Sequence, residues 1–145
     1  MSKYLFTIFL AASSVAFVGT AQQPAPKINK VPIQQTAITS GTQMYTTYCA
    51  ACHGSKGVGD GPAAAALKIP PTDLTTLSKK NNGAFPANHV STVLRFGVEN
   101  AAHGSSEMPV WGDLLTSLHA GSQDSSSQVR LRISNLTDYL KEIQK

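Results

Sequence analysis

Both cysteines of this 145-residue chain stand three apart and run directly into a histidine, in Cys49-Ala50-Ala51-Cys52-His53. No other feature limits the possible folds as much. C-x-x-C-H is the attachment signature of c-type haem. Two thiols so spaced at the end of a helix reach the two vinyl groups of one porphyrin as thioethers, and the next residue offers its imidazole to the iron. The expectation is one covalent haem c, with Cys49 and Cys52 as the thioethers and His53 as an axial ligand. A redox C-x-x-C is the competing reading. It lacks the strand-rich setting of thioredoxin-like folds and leaves the adjoining histidine without a role. A zinc half-site lacks evident partner ligands. Two cysteines are also too few for a disulfide framework.

The chain before the motif reads as two segments. Lys3 precedes an apolar stretch from Tyr4 to Val18 and then the small residues Gly19-Thr20-Ala21. This is the layout of a signal peptide over 1–21, cleaved after Ala21. The stretch is short against the roughly 20 residues of a bilayer span, so no stable span is expected in the mature form. An uncleaved anchor is the alternative. Export implies a periplasmic or otherwise extracytoplasmic location. Residues 22–39, opening Gln22-Gln23-Pro24-Ala25-Pro26, have no helical or strand period and read as an extended linker or arm. The pattern fits equally an arm that packs Val31 and Ile33 on the domain that follows and a plainly disordered segment.

From 40 to 145 the pattern predicts three main helices and no strand. Ser40 and Gln43 fit a capping box opening the first, and Met44, Tyr45, Tyr48 and Cys52 form its apolar face. The second runs from Pro86 to Phe96, with Val90, Val93 and Leu94 inward and Gly97 as its left-handed cap. The third begins near Ser126, with Ser125 and Gln128 as a capping box. Val129, Ile133, Leu136, Leu140 and Ile143 make its stripe. The connections are long and irregular, including a Ser-rich loop at 116–127, and a buried cofactor would supply the core they lack. The formal charge of +4 comes with no Lys/Arg run and no repeated basic-aromatic interleaving, which argues against nucleic-acid binding.

The iron needs a sixth ligand or an open face. Met108, in Glu107-Met108-Pro109-Val110-Trp111-Gly112, is the first candidate, because Pro109 stiffens a loop from which a thioether can approach. An isolated Met is more often core. His103 is the rival ligand, while His89 and His119 read as surface residues.

These residues resemble the small soluble class I cytochromes c of bacterial respiratory chains. The likeness rests on Gly41-x-x-x-Tyr45-x-x-Tyr48-Cys49-Ala50-Ala51-Cys52-His53-Gly54, on Gly57-Val58-Gly59-Asp60-Gly61-Pro62, on Pro70-Pro71-Thr72-Asp73-Leu74, on Met108-Pro109-Val110-Trp111-Gly112 and on Asn135-Leu136-Thr137-Asp138-Tyr139-Leu140. The resemblance implies an all-α class I cytochrome c fold wrapped around one covalently bound haem, with His53 and Met108 as axial iron ligands. It also implies that Gly41 and Tyr45 cross against Leu136, Tyr139 and Leu140. A Pro carbonyl, with Pro62 preferred to Pro70 or Pro71, is expected to support His53. Trp111 is expected beside a haem propionate or in the core, and Arg95 as an exposed helix residue. The Ser-rich run 116–127 is longer than in the shortest members.

The implied function is single-electron transfer between extracytoplasmic partners, not enzymatic catalysis. A mobile respiratory carrier, expected to be monomeric, would link a quinol-oxidising complex to a terminal oxidase. A dedicated subunit of a periplasmic dehydrogenase would use the same site. A haem enzyme or gas sensor would need Met108 to leave the sixth position open. Lys56, Lys68, Lys79 and Lys80 are placed to steer acidic partners or simply to be solvated.

Overall fold

The computed structural model describes residues 33–97, 108–119 and 123–145. The signal peptide, most of the arm, His103 and Glu107 lie outside the described residues. The chain divides after Val31, and the second unit, Pro32–Lys145, carries everything that follows. Among the described residues there are helices and no strands. The order is α1 (Gly41–Met44), a π-helical turn (Tyr45–Cys49), α2 (Ala50–His53), 3-10 turns at Ala64–Ala66 and Leu74–Thr76, α3 (Leu77–Lys80), α4 (Ala87–Phe96), α5 (Trp111–Ser117) and α6 (Ser125–Glu142). The fold is all-α, as expected. None of these helices is long and apolar enough to cross a membrane.

α6 is the spine, and α1, α4 and α5 all pack on it. The predicted stripe explains why. Val129, Ile133, Leu136 and Leu140 are buried together with Met44, Tyr45, Val90, Leu94, Trp111 and Leu115. Each such aliphatic side chain taken out of water stabilises the fold by about 1.5–3 kcal/mol. Ile143 is only half-buried, because the helix ends at Glu142. α4 closes at Gly97, whose φ of 81° is left-handed and whose N–H donates to the Val93 carbonyl at 2.9 Å.

The crossing of α1 and α6 sits where the family resemblance placed it. A Cβ at Gly41 would run into the Asn135 carbonyl oxygen and lie 2.7 Å from the Tyr139 Cβ, so the residue must be small for the two backbones to meet. Four residues on, the Tyr45 ring packs on that of Tyr139 with centroids 5.2 Å apart.

The predicted caps need correcting. Ser40 Oγ accepts from the Gln43 N–H at 3.1 Å, but the Gln43 side chain accepts from the Ala37 N–H at 2.9 Å instead of reaching back to Ser40. The Ser40 N–H is already taken by the Ala37 carbonyl at 3.3 Å. α6 starts at Ser125, so Ser125 lies inside the first turn and Asp124 precedes it as the cap residue. A further helix, α5, occupies the start of what reads as loop. Trp111, Leu114, Leu115 and Leu118 step by three, one and three, a helical stripe that the neighbouring serines and Gly112 obscured.

Candidate functional site

The motif lies at the end of a helix that changes pitch just before it. The Ala50 N–H donates to the Tyr45 carbonyl, five residues back, where an α-helix would bond four back. One extra residue in a turn sets everything after it back by about 100°, one α-helical step. The straight-helix reading puts Cys52 on the apolar face with Met44 and Tyr45. The wide turn instead brings Cys49 there, at 8% exposure, and leaves Cys52 half-exposed. It also swings His53 towards the interior. Both cysteines are free thiols. Burial, and secondarily the charge of Cys52, pushes the Cys49 thiol up to about 12.

His53 is held by a segment far along the chain. Its Nδ1 lies 3.0 Å from the Thr72 carbonyl oxygen. A carbonyl only accepts, so Nδ1 carries the proton and Nε2 keeps its lone pair. This corrects the expected support, which was the carbonyl of Pro62, Pro70 or Pro71. Thr72 follows the Pro70-Pro71 pair, and its place is fixed on both sides. The Leu74 N–H donates to the Gly57 carbonyl at 2.7 Å. The Asp73 carboxylate accepts from the Thr75 N–H at 2.8 Å and the Thr75 hydroxyl at 2.6 Å. From the C-terminal end, Gln144 donates to the Leu74 carbonyl at 2.7 Å and accepts from the Ser78 N–H at 2.8 Å. Burial lowers the affinity of His53 for a second proton, and the Thr72 bond opposes this in part. The imidazole is therefore neutral at pH 7, the form that ligates a metal.

The glycine-rich loop after the motif wraps back on it. The Gly59 N–H donates to the His53 carbonyl at 2.8 Å, that of Gly61 to Cys52 at 3.1 Å and that of Ala63 to Ala51 at 2.9 Å. These bonds satisfy the carbonyls that the end of α2 leaves open. A Cβ on Gly61 would sit 2.6 Å from the Cys52 carbonyl carbon, so only glycine fits there. The Tyr45 hydroxyl donates to the Gly54 carbonyl at 2.6 Å and ties the start of this loop to the core.

Met108 is half-buried and packs against the core cluster. Trp111, three residues on, is buried with its ring against Tyr48, centroids 5.5 Å apart. Tyr48 adjoins Cys49. Three residues of chain reach at most about 11 Å, so the Met108 backbone stays within that distance of the tryptophan that contacts the motif helix. Trp111 is a core residue here, and Arg95 is exposed with its guanidinium 5.3 Å from the Phe96 ring centroid. His89 is exposed, as expected.

The family described as "Cytochrome C oxidase, cbb3-type, subunit III" matches residues 36–118, more than half of the chain. The chain belongs to this family. It is accordingly a c-type cytochrome domain, in keeping with the class I resemblance, and its business is electron transfer. No curated protein and no solved structure gives a significant match. The family implies covalently bound haem c, and the cytochrome's own residues fit that group. Two unpaired thiols three apart and a neutral imidazole with Nε2 free are the donor set it requires.

Sequence reasoning missed one buried cluster in this cytochrome. Arg132 on α6 is only 3% exposed. Its guanidinium donates to Thr36 Oγ1 at 2.8 Å, to the Thr36 carbonyl at 2.7 Å and to His119 Nε2 at 3.1 Å. His119 is thus not the free surface residue the Ser-rich loop suggested. Burial and then the Arg132 charge lower its proton affinity, which keeps Nε2 an acceptor. The end of the segment read as an arm is likewise held on the domain, with Thr36 buried. The available signal was position: Arg132 stands three after Val129 and four before Leu136, on the buried stripe.

Proposed function

We propose that the chain is a mono-haem c-type cytochrome that passes single electrons between extracytoplasmic redox partners of a respiratory chain, with a terminal oxidase as acceptor and a quinol-oxidising complex as donor. The observation that carries this is the His53–Thr72 bond beside two free thiols, which presets one nitrogen for iron. The bound group would supply a one-electron iron couple. Cys49 and Cys52 would anchor it, and His53 and the Met108 thioether would ligate the iron. With His53 and Met108 both ligating, no position would be left at the iron for a substrate. A thioether ligand favours the ferrous state and raises the potential relative to two histidines. Cys52 is the more exposed cysteine, so its side is the nearest to solvent and to a docked partner. Lys56, Lys68, Lys79 and Lys80 are all exposed and favour acidic docking surfaces. The family match, being to an oxidase subunit, favours an oxidase over a dehydrogenase as the partner. The N-terminal segment 1–21 acts as the export signal, and the cytochrome works outside the cytoplasm.

The test is an optical redox titration of protein made with haem-attachment machinery. The expected result is a low-spin spectrum with a clearly positive midpoint that falls when Met108 is replaced. A strongly negative midpoint in the wild type points to His103 as ligand, and a high-spin ferric spectrum reopens the enzyme or sensor reading. Either refutes the Met108 assignment.

A further inference from the structure

Arg132 is an uncommon residue to bury in a small helical fold. A buried guanidinium is costly to desolvate, and its three bonds here go to a hydroxyl, a carbonyl and an imidazole nitrogen, all neutral. The direction of the protons in the cluster follows from Arg132 being a donor only at one end and the Gln34 carbonyl an acceptor only at the other. Tyr48 gives its single proton to the Gln34 carbonyl at 2.6 Å, so the Thr36 hydroxyl donates to the Tyr48 oxygen at 3.0 Å while accepting from Arg132. The relay therefore joins segments that are remote in sequence. It reaches the chain before α1 at Gln34 and Thr36, α6 at Arg132, the segment after α5 at His119, and the motif helix at Tyr48.

Tyr48 also carries the contact with Trp111, the first residue of α5. α5 is thus gripped at both ends: at its start by Trp111 on Tyr48, and just past its end by His119 on Arg132. Met108 stands three residues before that helix. We propose that Arg132 is a positioning residue for the Met108 segment, locking α5 against the helix that carries Cys49 and His53 so that the thioether is presented at a fixed place. The proposal rests on Met108 being the sixth ligand.

The relay makes the idea testable in parts. Arg132→Met removes the hub, Thr36→Val removes the link between Arg132 and Tyr48 at constant shape, and Tyr48→Phe removes the last hydroxyl while keeping the ring on Trp111. Val129→Ala, on the same helix but outside the cluster, is the control for lost stability alone. Each would be made as holoprotein with haem attached. The readouts are the weak near-infrared band of thioether-bound ferric iron, the midpoint potential, and the rate at which imidazole displaces the ligand in the ferric protein. Arg132→Met is expected to weaken the band and speed imidazole binding by about tenfold or more, since a larger fraction of the protein then has its ligand loop open. Thr36→Val should do the same to a lesser degree, and its effect should not add to that of Tyr48→Phe, because both cut one relay. Val129→Ala should leave band and rate alone. If the wild type has the band and all three cluster variants keep its strength and the wild-type rate, Arg132 does not position Met108. If the wild type lacks the band, the ligand assignment itself falls, and the proposal with it.

Discussion

Replacing Tyr45 by Phe should trade a loss of stability at neutral pH for a gain at alkaline pH. Tyr45 is 1% exposed, and its hydroxyl donates to the Gly54 carbonyl at 2.6 Å. That carbonyl also accepts from the Gly57 N–H at 3.2 Å, so the variant leaves no orphaned acceptor. The cost at pH 7 is then that of one ordinary hydrogen bond, about 1 kcal/mol. Burial chiefly, with smaller contributions from the charges of Cys49, Tyr139 and Asp60, raises the phenol from 10.0 to about 12. The folded protein keeps this proton to higher pH than the unfolded chain does. Above pH 10 the unfolded state therefore binds fewer protons, and stability falls as pH rises towards 12. Two units correspond to roughly 3 kcal/mol in all, of which about half is lost by pH 11. Thioether formation at Cys49 removes that cysteine's share and leaves the larger part due to burial. The wild type and Tyr45→Phe should thus be equally stable between pH 10 and 11, with the variant the more stable above. Guanidinium unfolding followed by far-UV circular dichroism at pH 7, 10 and 11 measures the difference, because the groups that are not coupled to Tyr45 titrate alike in the two proteins. A difference that stays constant across this range would refute the reasoning.

Two further outcomes follow from contacts in the same region. Gly41→Val should lower stability by about 3 kcal/mol in chemical denaturation, because the new atoms meet the backbone of α6 and not a side chain that can move aside; a loss below about 1 kcal/mol would mean that the helices do not meet as closely as described. In the folded protein without haem, a thiol reagent at pH 8 should modify Cys52 at least about tenfold faster than Cys49, whose thiol is buried and raised to about 12, as read by peptide mass spectrometry. Equal rates in haem-free protein whose far-UV circular dichroism shows the helices formed would show that the wide turn does not bury Cys49.

Much of the site was legible because it is local. A C-x-x-C-H run carries its chemistry in five consecutive residues, and the stripe of α6 and the glycine cap of α4 are written at helical spacing. The crossing of Gly41 with Tyr139 was legible by resemblance, since small residues mark where backbones meet. The support of His53 was not. Thr72 acts through its carbonyl, which every residue possesses, so no side chain there could announce it. The face that Cys49 occupies was hidden for another reason. A π turn changes the helical period by one residue, and the sequence Tyr45-Thr46-Thr47-Tyr48 carries no break that marks it.

The sequence by itself determined the family, the helix-rich class and most residues of the main core, because these depend on neighbours within a few positions. Tertiary structure alone decided which carbonyl orients His53, which cysteine is buried, and that Arg132 gathers Gln34, Thr36, Tyr48 and His119 into one relay. Those outcomes depend on hydrogen bonds between segments that only folding brings together, and on the cost of burying a guanidinium without enough acceptors around it.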